Sequence, residues 1–146
     1  MSRFCGAHRF LPRAGVDPID DAVAALAVIR LAVHRPPTDE TIVLVLDSDH
    51  RGRTVVVVDG TEEPDAVLEV VEHVAGSIAA NGDGGALVVA SVRPGGHPLD
   101  EDEDRWVEAS DLAEALGVEL IEWFVLDGSG GTWSPRDLIA DPPRWG

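Results

Sequence analysis

Four apolar runs limit what this chain can fold into: "TIVLVLD" (Thr41 to Asp47), "TVVVVDG" (Thr54 to Gly60), Ala86 to Val92 and "VELIEWFVL" (Val118 to Leu126). β-branched residues fill them, and each has the length of a strand. The first two flank "SDHRGR" and read as a buried hairpin. Ala86 to Val92 is apolar almost throughout, the pattern of a strand covered on both faces, so it is expected near the centre of a sheet. None of the runs approaches the ~20 residues needed to span a bilayer.

Helical spacing fills the gaps. Asp17-Pro18 reads as N-cap and first residue of a helix, with Ala22, Leu26, Ile29 and Val33 on one face and Pro36-Pro37 as its stop. Pro64 opens a second helix with Val67, Val70, Val71 and Val74 inward, ending at Asn81-Gly82. A third runs from about Asp102 to Leu116, with Gly117 as its C′ residue. "DGSGG" then turns the chain, "TW" makes a stub strand, and Ser134-Pro135 cap a short last helix. This alternation predicts a mixed sheet with helices packed against it. At 146 residues the chain is most simply one domain with a core of its own.

Charge narrows the function. Twenty-seven acids face 11 arginines with no lysine, and a net charge of -16 repels a phosphate backbone, which argues against direct nucleic-acid binding. Missing Lys and Tyr beside abundant Ala, Gly, Arg, Asp and Val point to a GC-rich coding sequence, with adaptation to high salt as the alternative. The start, "MSRFCGAHRFLPRAG", has no apolar h-region, so a cytoplasmic protein is expected, with no membrane contact. Cys5 is the sole cysteine and rules out an internal disulfide. Cys5 and His8 have a ligand-like gap, but with no second pair they read as a frayed terminus rather than a zinc site.

The stretch "RPGGHPLDEDED" (93–104) joins the central strand to the third helix, a place where α/β proteins often build reaction sites. It has neither GxxxxGK[ST] nor GxGxxG, and acids at the helix start would repel a phosphate there. Asp100 is expected to act as N-cap with Glu103 as its capping-box partner. Capping leaves the glycines and prolines unexplained.

From about Asp39 to Ile139 the chain resembles the RadC-type JAB/MPN (JAMM) family. That family carries HxH at a strand end, then a P-S-G-x-P loop, then S-x-x-D opening a helix. Here HxH falls on Ser91-Val92-Arg93, the loop on Pro94 to Pro98, and the motif Ser and Asp on Glu101 and Asp104. "ETIVLVLDSDHRG" resembles the family's E-x-x-x-x-x-x-L-D strand, with Asp39 or Glu40 near its catalytic Glu. "VDGT" resembles the G-T after the next strand, and "GVELIEWFVLDGSGGTWSPRDL" resembles the strand and S-x-R-E ending. The resemblance implies a three-layer α/β fold, a mixed sheet flanked by helices and related in shape to cytidine deaminases. Residues 39–146 would form the domain, with 1–38 an N-terminal segment whose one helix packs on it. A bacterial origin is implied as well.

The departures bear on chemistry. In the family, alternation along the strand turns both His rings to one face, and the motif Asp completes a zinc site with one position left for water. A Glu then moves protons to and from that water. Serine is a poor zinc ligand and arginine ligates nothing, so Ser91 and Arg93 imply a lost metal centre with no metal and no cofactor. The family's DH pair is also replaced, by Glu122-Trp123. The resemblance implies that such degenerate MPN domains serve as scaffolds or as partners of active ones. The expected function is therefore a catalytically inactive module that binds another protein, either a basic one or an active MPN-type one. Two alternatives stay open. One is a hydrolase, isopeptidase or nuclease-like, with a site rebuilt around Glu40, His97, Glu101 and Asp104. The other is an acidic nucleic-acid mimic.

Arg93 is expected to replace the metal as counter-charge, pairing with Asp104 or Glu101; the alternative is an arginine that leaves the strand end into solvent. His34, His50 and His73 have no sequence-level reason to converge. Trp106 and Trp123 are expected in the core, while Trp133 and Trp145 seal the end of the sheet or, if exposed, anchor a partner. "SGGTWS" lacks GxSxG and a neighbouring histidine, so serine hydrolysis is not indicated.

Overall fold

The computed structural model describes residues 11–82 and 85–145; Cys5 and His8 lie outside them. Among the described residues the order is α1 (Ala22–Ala32), β1 (Glu40–Asp47), β2 (Gly52–Asp59), α2 (Ala66–Ala80), β3 (Gly85–Val92), α3 (Asp102–Ala115), β4 (Val118–Leu126), β5 (Thr132–Trp133) and a 3-10 turn at Pro135–Ile139. No described helix is long and apolar enough to cross a membrane.

The strands form one mixed sheet in the order β2-β1-β3-β4-β5. β1 runs antiparallel to both β2 and β3, β3 is parallel to β4, and β5 returns antiparallel to β4. The hairpin expected around "SDHRGR" is held by an Asx turn: Asp47 Oδ1 accepts the amides of Asp49 and Arg51, both at 2.9 Å. β3 lies at the centre, as its apolar run requires.

Helices cover both faces. Val43, Val45, Leu87, Val89, Trp123 and Val125 meet α2 and α3 in one cluster that holds buried Trp106. Ile42, Leu44, Val88, Ala90 and Phe124 meet Ala25 and Ile29 of α1 in the other. Odd-numbered positions of β1 and β3 thus face α2 and α3, and even-numbered ones face α1. That parity decides which polar side chains can meet at the sheet's end.

α1 begins later than the Asp17-Pro18 signal suggests. Its N-cap is Asp21, whose Oδ1 accepts the Ala24 amide at 2.8 Å. Asp17 instead takes the amide and side chain of Arg13, and Pro18 bridges Arg51 on the hairpin. Proline's fixed φ suits an extended segment as well as a first helical turn, and buried Ile19 anchors this one to the core. Trp133 and Trp145 pack, partly buried, against the two clusters and so seal the sheet.

Candidate functional site

A cleft of about 180 Å³ opens at the end of the sheet where β3 stops and α3 starts, lined by Asp39, Thr41, Ser91, Arg93 and His97. The loop beneath it is shaped by packing rather than by a phosphate. The Gly96 amide donates to Arg93 O at 2.7 Å in a tight turn, and Gly96 sits at φ 70°. A Cβ there would collide with Asp127, so only glycine fits both the backbone and the space. Asp127 is itself fixed, because its Oδ1 accepts the amides of Gly131 (2.7 Å) and Ser129 (2.8 Å). Those bonds, with Gly131's foremost, hold its carboxyl below the usual aspartate value.

An ion-pair chain closes the floor. Arg93, the first residue past β3, grips Asp102 bidentately at 2.9 and 3.0 Å. Arg105, one turn along α3, reaches the same carboxylate at 3.1 Å, the Asp100 carbonyl at 2.7 Å and Asp65 at the start of α2 at 2.8 Å. The Leu99 amide supplies a fourth donor to Asp102 at 2.9 Å. Asp102's side chain is 0% exposed and Arg93's only 14%. Burial alone would raise the Asp102 pKa, but the bonds from Arg93, Leu99 and Arg105 outweigh it and hold the carboxyl below its ordinary value. Arg105 is shifted upward in turn: burial pulls it down, and Asp65 and Asp102 more than offset that. Arg93 also lies over the Trp123 ring, 5.8 Å from its centroid, and Trp123 Nε1 donates to Ser91 Oγ at 2.9 Å.

Of the residues singled out from sequence, Asp39, Ser91, Arg93 and His97 line the cleft, while Glu40, Glu101 and Asp104 do not, and three corrections follow. The acid that meets Arg93 is Asp102, not Asp104 or Glu101, both of which are exposed. The loop from Arg93 closes on the first residue of α3, which is Asp102. The helix is not capped by Asp100 with Glu103 as partner: Glu101 is the N-cap, at φ 70° and without a side-chain cap bond. Glu40, offered as the catalytic-Glu position, sits on the other face. It pairs in register with Val92 and is bound by His34, while Asp39 lines the cleft. A one-residue step along a strand reverses the face, so only the pairing register separates the two acids.

The chemistry open to this cleft follows from its bonds. Both Asp102 oxygens are filled by four donors from guanidinium and amide groups, which leaves none for a metal and no proton to move. Ser91 Oγ accepts the Trp123 indole N–H, and His97 is an exposed loop residue. On β4, fully buried Glu122 accepts from Arg136 (2.6 Å), Ser134 (2.8 Å) and the Trp123 amide (2.9 Å), which ties the strand to the 3-10 turn.

Sequence reasoning missed Asp65, Asp102 and Arg105 as one cluster. The i, i+3 spacing of Asp102 and Arg105 was the available signal. It also missed that His34, Glu40 and Asp59 come together, the one group of three metal-ligating side chains among the described residues. No protein-family model matches this sequence, and no curated protein matches it.

Proposed function

We propose that the chain is a RadC-like JAB/MPN domain of three-layer, cytidine-deaminase-like type. Its metal centre is replaced by an arginine–aspartate pair, and it acts by binding another protein. The observation that carries this reading is the Arg93–Asp102 pair. The resemblance puts zinc where strand end and helix start converge, and there a guanidinium with permanent charge fills the carboxylate that a dication would need. Ser91, on the same face, offers a hydroxyl already engaged by Trp123.

The binding reading draws on charge. Asp39, Glu62 and Glu63 rim the cleft of a chain with net charge -16, so a basic protein surface is the matching partner chemistry. The hydrolase alternative loses support, because Glu40 points away from the cleft and Glu101 and Asp104 face solvent.

Elemental analysis of protein never exposed to chelator tests the first half. One equivalent of zinc that disappears in a folded Asp102→Asn variant but persists in His34→Ala would sink the inactive-site reading. The second half is tested by titrating an arginine-rich peptide at low and high salt. Salt-sensitive binding that weakens in a Glu62→Gln/Glu63→Gln variant is expected, and binding unchanged by those substitutions counts against the cleft rim.

A further inference from the structure

We infer that His34, Glu40 and Asp59 form a divalent-cation site, best matched to Zn²⁺, that clamps the end of α1 to the edge of the sheet. It is separate from the cleft, since Glu40 faces α1 and the Arg93–Asp102 pair faces α2 and α3.

The backbone sets the three donors in place. The Gly60 amide donates to Asp39 O, so residues 39 and 60 are a hydrogen-bonded pair and the adjacent Glu40–Asp59 pair is not. Side chains of a non-hydrogen-bonded antiparallel pair stand closest and on one face. The turn after α1 then lays His34 across them. Its amide donates to Glu40 Oε2 at 2.9 Å, and its Nδ1 lies 2.5 Å from Glu40 Oε1 and 3.9 Å from Asp59 Oδ1. One donor atom from each residue falls within 4.8 Å of the others. Four-coordinate zinc, with bonds of ~2.1 Å, wants its donors about 3.4 Å apart. A swing of about 1 Å by the half-exposed imidazole opens that space, and solvent supplies the remaining ligand.

Charge balance gives a second, independent reason. Among the described residues three carboxylates are fully buried: Glu40, Asp102 and Glu122. Asp102 has two guanidinium partners and Glu122 has one, but Glu40 has only an imidazole. A buried carboxylate needs a compensating cation, and one imidazole nitrogen with two carboxylates is a ligand set for a borderline divalent ion. Asp59, with a side chain 74% exposed, leaves the ion a way in.

The test is calorimetric titration of Zn²⁺ into the whole chain after chelator treatment. One equivalent is expected. Asp59→Asn changes an exposed side chain, so it should melt like wild type in chelator yet bind about tenfold more weakly or worse, at least the loss seen on removing an outer-shell partner. His34→Ala should abolish uptake, and a folded Asp102→Asn variant should leave it unchanged. No uptake by wild type, or equal uptake by wild type and Asp59→Asn, overturns the site while leaving the inactive-cleft reading intact. Zinc lost only in Asp102→Asn overturns both.

Discussion

Asp102 and Glu40 lie at the same end of the sheet on opposite faces, and both are fully buried. Asp102 is matched by two guanidinium groups whose charge is permanent across the usable pH range. Glu40 is matched by His34, an imidazole 56% exposed whose charge comes and goes. Desolvating a carboxylate carries the same kind of cost on either face. The α2/α3 face meets it with a fixed counter-charge and so locks the cleft floor. The α1 face meets it with a counter-charge that a proton supplies and a metal ion can supply instead. An end of the sheet that looks like one polar region therefore holds a closed network beside an adjustable one.

The largest expected effects fall on the closed network. Asp102→Ala strands Arg93, which loses both its bonds to that carboxylate, and should cost roughly 3–5 kcal/mol. In a chain of this size that lowers the melting temperature by roughly 10–16 °C. Arg93→Ala should cost about 3 kcal/mol, toward the low end because Asp102 keeps Arg105 and the Leu99 amide. Denaturant unfolding of both variants checks the figures. If Arg93→Ala melts like wild type, the two faces do not differ and the counter-charge account is wrong.

Acidity separates the two regions by sign. Asp102's folded pKa is depressed, so its stabilisation is present above the ordinary aspartate value of 3.8 and fades as pH falls through the lower folded value. His34's folded pKa is raised, first by its hydrogen bond to Glu40 and then by the charges of Glu40 and Asp59. Its contribution is therefore complete below 6.5 and fades as pH rises through the higher folded value. In chelator, the stability gap between wild type and Asp102→Asn should close only on the acid side. The gap to His34→Asn should close only on the alkaline side. Parallel curves for the two pairs would erase the contrast.

The sequence carries the four long strands, the inward valines of α2 and the Gly117 stop because each follows from local pattern: apolar runs, helical spacing, a glycine at positive φ. It also carries the idea that Arg93 answers an acid at the start of α3. Which acid is a different matter. Asp100 to Asp104 offer five adjacent carboxyl groups, and only the closure of the 93–101 loop selects Asp102. The start of α1 is ambiguous for a similar reason, since Asp17-Pro18 and Asp21 both make chemically sound openings. The His34–Glu40–Asp59 group depends on β1–β2 register and on where the chain crosses after α1. Neither leaves a trace at short range.

The smallest expected effects test whether the acid run matters as an ion-pair partner or as a cap. Asp21 caps α1 through a 2.8 Å bond, so Asp21→Ala should cost ~1 kcal/mol. Asp100 is exposed and contributes its backbone carbonyl to Arg105, a bond that alanine keeps. Asp100→Ala should therefore stay within about 0.5 kcal/mol of wild type, as a surface substitution does. Thermal melts of the two variants side by side make the comparison internal. A cost for Asp100→Ala equal to that of Asp21→Ala would mean that the run does cap α3. Part of the loss in Asp102→Ala would then belong to a helix start and not to the Arg93 pair. With Asp100 silent, the whole of that loss belongs to the buried carboxylate, which is what sets it apart from Glu40 on the other face.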